Sequence, residues 1–100
     1  MRELQVEYRI NLQSRAAFLA EFDAFAVQRR RDGAYAWGVF EDIAEPGRFL
    51  ETFFIESWLE HLRQHERVTR ADRELQERVQ AFHIGPGLPM VSHLIAASPQ

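Results

Sequence analysis

The 100-residue sequence predicts an α+β fold built on a four-stranded antiparallel sheet. Three observations carry this reading. Apolar residues alternate in four short stretches, they recur at three- and four-residue steps in three others, and the two kinds follow one another as β-α-β-β-α-α-β. That order is the split βαβ arrangement of ferredoxin-like folds, a sheet with helices on one face.

The first strand is read from Leu4, Val6, Tyr8 and Ile10, which alternate with Gln5, Glu7 and Arg9 and so leave one face polar. Asn11 or Ser14 can cap the helix that follows, where Phe18, Leu19, Phe22, Phe25 and Ala26 form one apolar stripe. Arg29, Arg30 and Arg31 fall in its last turn, where cations suit the negative end of the helix dipole, and Asp32-Gly33 supplies the exit. Residues 34–41 read as a second strand, with Tyr35, Trp37 and Val39 on one face and Ala36, Gly38 and Phe40 on the other. A turn at Ala44-Glu45-Pro46-Gly47 leads into a third strand over 48–56, apolar on both faces and so expected to be covered on both.

Ser57 and Glu60 form a capping box that opens a short helix through about Val68. Thr69 and Asp72 cap another, running to about Ala81 and packing through Ala71, Leu75, Val79 and Phe82. Glu66, Arg70, Glu74 and Arg78 alternate in sign at four-residue steps, the pattern of a solvated face. Gly85-Pro86-Gly87-Leu88-Pro89 forces a loop before a last strand over 90–96, and the end of the chain frays. Residues 1–100 form one domain without repeat or linker.

At 46% hydrophobic and 12% aromatic, the chain can build a core, which excludes wholesale disorder. A net charge of −3 argues against a nucleic-acid partner or a polybasic membrane module. All twelve basic residues are Arg, which nothing in the fold requires. With no Cys, disulfides, thiolate chemistry and Cys-based metal sites are excluded. Arg2, Glu3 and Glu7 interrupt any apolar run at the start, so no signal peptide is expected. The longest stretch without Asp, Glu or Arg, from Val79 onward, holds His83, His93, three Pro and two Gly and cannot span a membrane. A soluble domain with no direct membrane insertion is expected. Trp37, Phe49 or Phe54 on the face without helices would lie in water, so a second copy stacked sheet to sheet is expected to cover it.

Several segments resemble known families. An aromatic-rich hairpin leading into a helix that carries Trp58 and His61 is similar to the antibiotic biosynthesis monooxygenase-like superfamily of dimeric α+β barrels. More narrowly, Val6–Ile10, Arg31–Gly38, Glu51–Phe53 through Glu56–Trp58, Glu60–Val68 and Val91–Ile95 resemble the C-terminal region of major-facilitator exporters of the transmembrane secretion effector group. The first resemblance implies a homodimer and, in some members, a cofactor-independent monooxygenase acting on an aromatic polyketide-like molecule. Such a site uses residue types found here as Tyr35, Trp37, Trp58 and Asn11, but no complete catalytic set matches position by position. The second implies a cytoplasmic appendage of a transporter membrane domain, which this chain lacks.

Trp58, His61 and His65 share one helix face and could line a pocket, the imidazoles moving protons and the indole stacking; equally, Trp58 could anchor the core while the histidines bond locally. His61 and His65 have metal-clamp spacing, but Leu62 stands where a zincin needs Glu, and a third ligand such as His93 or Glu51 would have to come from folding. No metal and no cofactor are therefore expected. His93 alternates with Val91 and Ile95, as a core histidine would. The three consecutive arginines could grip a phosphate, although helix-end electrostatics accounts for them equally well. The residues give Tyr35, Trp37, Trp58, His61, His65 and His93 as candidates around a pocket between sheet and helix, for an aromatic small molecule. The expected role is ligand binding or dimerisation rather than catalysis; a structural assembly module without ligand is the bland alternative.

Overall fold

The computed structural model describes residues 1–66 and 69–98, without the side chains of 64–66. The elements are β1 (Arg2–Arg9), α1 (Arg15–Arg31), β2 (Tyr35–Glu41), β3 (Arg48–Ile55), α2 (Trp58–Glu66), α3 (Arg70–Ala81) and β4 (Met90–Ile95). The strands form one antiparallel sheet in the order β2-β3-β1-β4, so β1 and β3 lie at its centre. This is the ferredoxin-like α+β fold.

Local signals in the chain account for the element ends. Asn11 caps a single 3₁₀ turn by accepting from the Gln13 amide at 3.0 Å, whereas Ser14 makes no side-chain cap. The Ser57 hydroxyl accepts from the Glu60 amide at 3.2 Å. Thr69 and Asp72 form a reciprocal capping box at the start of α3. The end of α2 expected near Val68, and the side chains of His65 and Glu66, lie outside the described residues. Gly47 sits at φ 92° in the β2–β3 turn, where a Cβ would come within 2.7 Å of the Ile10 carbonyl. Glycine is thus needed twice over, for its dihedral and for the close approach of the first strand.

The core lies between the sheet and the helices. Val6, Tyr8 and Ile10 pack with Phe18, Phe22 and Phe25 of α1, with Phe49, and with Leu75 and Val79 of α3. Phe18 sits at the centre of the aromatic cluster, in edge or tilted contact with Tyr8, Phe22, Phe49 and Phe82. On α3 the expected apolar stripe shifts at its start. Ala71 is exposed and Asp72 is buried instead, bonded to the Thr69 cap and to Arg31 of α1.

Two expectations about the sheet faces are corrected. Tyr35 and Trp37 do not share a face. The register slips between Tyr35 and Gly38, and Ala36 adopts φ 51°, so Ala36 and Trp37 together oppose one residue of β3. This bulge sends Trp37 under the helices, while Tyr35 stacks on Phe54 on the opposite face. Trp37 and Phe49 are accordingly covered by the chain's own helices. The open face instead carries Phe40, Leu50, Phe54, Met90 and Leu94 around a polar centre of Glu3, Gln5, Glu7, Thr52 and Ser92, with Phe40 at 60% and Met90 at 64% exposure.

Candidate functional site

The helices cover β3 and β1 but stop short of β4. Val91, which pairs with buried Val6, and His93, which pairs with buried Leu4, are both exposed although they lie on the helix side. The expectation of a core histidine at 93 fails because the helices leave its strand largely uncovered. Where the helices part from the sheet they leave a cleft of about 330 Å³. Its floor is Leu4, Val6 and Tyr8 of β1 with Phe53 and Val91, and its walls are Phe25 and Arg29 of α1, Trp58, His61 and Leu62 of α2, and Gln76 and Gln80 of α3.

The candidate residues distribute unevenly around it. Trp58 and His61 line the cleft and stack on one another at 5.4 Å between ring centroids. His93 stacks on Trp58 at 4.2 Å, tying β4 to α2, and Arg2 lies over the same indole at 5.8 Å. Trp37 lies behind the cleft wall, bonded to Glu51. Tyr35 is on the far face of the sheet, its hydroxyl donating to Glu56 at 2.8 Å. His65 has no described side chain.

Beneath the cleft lies a polar cluster that the candidate set omits. Glu51 is fully buried, on the same strand face as Phe49 and Phe53. Arg29 reaches it side-on with one edge of its guanidinium, Nε to Oε2 at 2.9 Å and Nη2 to Oε1 at 3.1 Å. The Tyr8 hydroxyl donates to Oε1 at 3.2 Å and the Trp37 indole N–H to Oε2 at 2.9 Å. Four donors thus converge on one carboxylate, the satisfaction that a buried charge requires. The Arg29 guanidinium also lies over the Phe25 and Phe53 rings at 4.3 and 4.9 Å.

Electrostatics follow from this packing. Burial, followed by the negative charge of Glu51, raises the Tyr8 phenol far above its ordinary range, so it remains a neutral hydroxyl and not a base at neutral pH. Burial pulls Arg29 down, but the charge of Glu51 and its hydrogen bonds outweigh it and hold the guanidinium above its ordinary value. Both residues were open to detection. Glu51 is an acid among Phe49, Phe53 and Ile55, and Arg29 continues the spacing of Phe18, Phe22 and Phe25. A charge on each of two apolar faces signals a buried pair. The arginine run is therefore not a helix-end cluster alone: Arg29 turns inward and Arg31 pairs with Asp72.

The arrangement can hold a flat apolar molecule against Tyr8, Phe25, Phe53 and Trp58 and offer hydrogen bonds from His61, Gln76 and Gln80. Among the described residues no group of three or more His, Asp or Glu is placed to hold a metal, and no helix is long and apolar enough to cross a membrane.

The fold is shared with several solved structures. An antibiotic biosynthesis monooxygenase superimposes with a TM-score of 0.78 at 15% identity, covering 98% of this chain and 100% of its own. A candidate antibiotic biosynthesis monooxygenase of Caulobacter crescentus gives 0.77 at 15% identity over 97% of this chain and 90% of its own. Another, of Deinococcus radiodurans, gives 0.75 at 15% identity over 100% of this chain and 96% of its own. At such identities the likeness concerns the fold. A search of curated proteins finds no significant match. The sequence profile of the transmembrane secretion effector family matches residues 2–100, and the chain belongs to that family.

Proposed function

We propose that this domain binds an aromatic small molecule in the cleft between sheet and helices, as a non-catalytic cytoplasmic accessory to the membrane part of an exporter. The observation that carries the binding role is the cleft itself: about 330 Å³, aromatic on three sides, with a few convergent polar groups. The exporter setting rests on the family. Thermal unfolding against a panel of uncharged two- and three-ring aromatics tests the binding role. The expected result is a rise in melting temperature with ligand concentration that Trp58→Ala removes; no rise with any compound would leave a structural module. Oxygen uptake with anthrone-type substrates, without metal or flavin and lost in Trp58→Ala, would replace binding by cofactor-independent oxygenation.

A second copy is proposed to cover the open sheet face, where Phe40, Met90 and Leu94 are exposed around a polar centre. Sheet-to-sheet stacking about a two-fold axis would bury that patch on both copies and close on itself. Sedimentation at low micromolar concentration should give a dimer that Phe40→Glu converts to monomer, and monomer alone for the unaltered protein would remove this proposal.

A further inference from the structure

We infer that the Glu51–Arg29 ion pair sets the charge selectivity of the cleft, so that it admits uncharged aromatic molecules and turns away anions of the same shape. The inference rests on the ligand-binding reading above. Arg29 is the one formally charged side chain among those described on the cleft wall, and it is the group an entering carboxylate or sulfonate would seek. The edge of its fork that would take a carboxylate side-on is already occupied: Nε and Nη2 each donate to Glu51, and Phe25 and Phe53 lie against the guanidinium plane, so an anion is left the Nη1 end of a charge that Glu51 already neutralises.

Glu51 itself has no exposed surface and does not reach the wall, so it cancels the Arg29 charge from behind without offering a ligand anything to bind. An anion would therefore give up its hydration for a site whose described side chains carry no net charge, a transfer that nearby opposite charge normally compensates. A neutral ring system loses no such hydration and keeps the aromatic floor. Its hydroxyl or carbonyl groups can meet the amides of Gln76 and Gln80, one helical turn apart on α3. Arg2 lies over Trp58 but is not part of the wall. The selectivity is thus assigned to one buried residue that no ligand touches.

Two fluorescent probes with one ring skeleton test this: N-phenylnaphthylamine, which is neutral, and anilinonaphthalene sulfonate, which is not. Titrations are run at about pH 8, above the ordinary range of a free imidazole. The unaltered protein should bind the neutral probe at least about tenfold more tightly. Gln80→Trp, which fills the cleft, should abolish its signal. Glu51→Gln, checked for native circular dichroism, frees Arg29 and should narrow the ratio by about tenfold or more, chiefly by tightening the sulfonate. Equal or tighter sulfonate binding by the unaltered protein overturns the inference, as does an unchanged ratio in folded Glu51→Gln. The comparison within the unaltered protein stands even if that variant does not fold. Binding of both probes at equal strength, with loss in Gln80→Trp, would keep the ligand cleft and remove only the charge selectivity. Failure of both probes to bind would remove both the cleft reading and the selectivity.

Discussion

Arg29–Glu51 and Arg48–Glu7 are ion pairs of identical composition on opposite faces of one sheet, and they differ in everything that hydration controls. On the helix side the Arg29 and Glu51 side chains are 13% and 0% exposed; on the open side Arg48 and Glu7 keep 27% and 21%. Arg48 shares its guanidinium between Glu7 at 2.7 Å and Asp42 at 3.0 Å, with water available to all three. Both arginines are held above their ordinary pKa, Arg48 chiefly by the Glu7 hydrogen bond. Burial opposes the rise in both, but for Arg29 it is the largest single effect, whereas for Arg48 it ranks behind the Glu7 hydrogen bond. The lesson is that the inner pair is indispensable once built, because neither partner can return to water, while the outer pair is replaceable.

The largest expected effect comes from breaking the inner pair on one side. Glu51→Ala leaves Arg29 buried without its counter-charge and strips acceptors from Tyr8 and Trp37, and should cost about 3–5 kcal/mol in urea unfolding. A loss below about 1 kcal/mol would mean that water already reaches the pair.

The two tyrosines extend the comparison to pH. Tyr8 is raised by burial and then by Glu51, Tyr35 by its hydrogen bond to Glu56 at an exposed position. For Tyr8 the folded value lies above the unfolded one, so its contribution to stability is complete below about pH 10 and is lost as pH climbs above it, at about 1.4 kcal/mol per pH unit. Ultraviolet titration should show Tyr35 ionising reversibly in the native protein and Tyr8 only on unfolding. Reversible ionisation of a tyrosine in Tyr35→Phe, with native circular dichroism retained, would contradict this.

A smaller effect probes the bulge that separates the faces. Ala36 holds a left-handed conformation. Ala36→Gly should therefore raise stability by about 0.5 kcal/mol, the strain removed less the added chain entropy of glycine. Ala36→Val should instead destabilise, because a β-branched residue fits positive φ worse still. A stabilising Ala36→Val would show that Trp37 reaches Glu51 by another backbone path. The smallest effect is expected on the open face. Glu7→Gln should leave the unfolding midpoint unchanged within error once salt screens the remaining charges, and a large salt-independent loss would erase the distinction between the two pairs.

Much of the architecture was legible in the order of residues. Alternation in β1, the apolar stripe of α1 and the caps at Ser57 and Thr69 are local signals, each decided within a few residues, and the structure places those elements accordingly. Trp58 and His61 could be placed on one helix face by spacing alone, and both line the cleft. Tyr35 and Trp37 were misplaced because strict alternation holds only while the register does, and a bulge is a property of two strands together. The exposure of His93 likewise depends on how far the helices reach toward β4.

The sequence by itself therefore determined the elements, their order and the fold class, since dihedral preference, capping and hydrophobic period act over short range. Only the tertiary structure decided which faces the aromatic residues occupy, that an arginine in a run of three turns inward, and that Glu51 neutralises it beneath a cleft. Those outcomes depend on burial and on distances between residues far apart in the chain, such as the 22 positions separating Arg29 from Glu51. A charge among apolar neighbours announces that it needs a partner, but only packing brings one within reach.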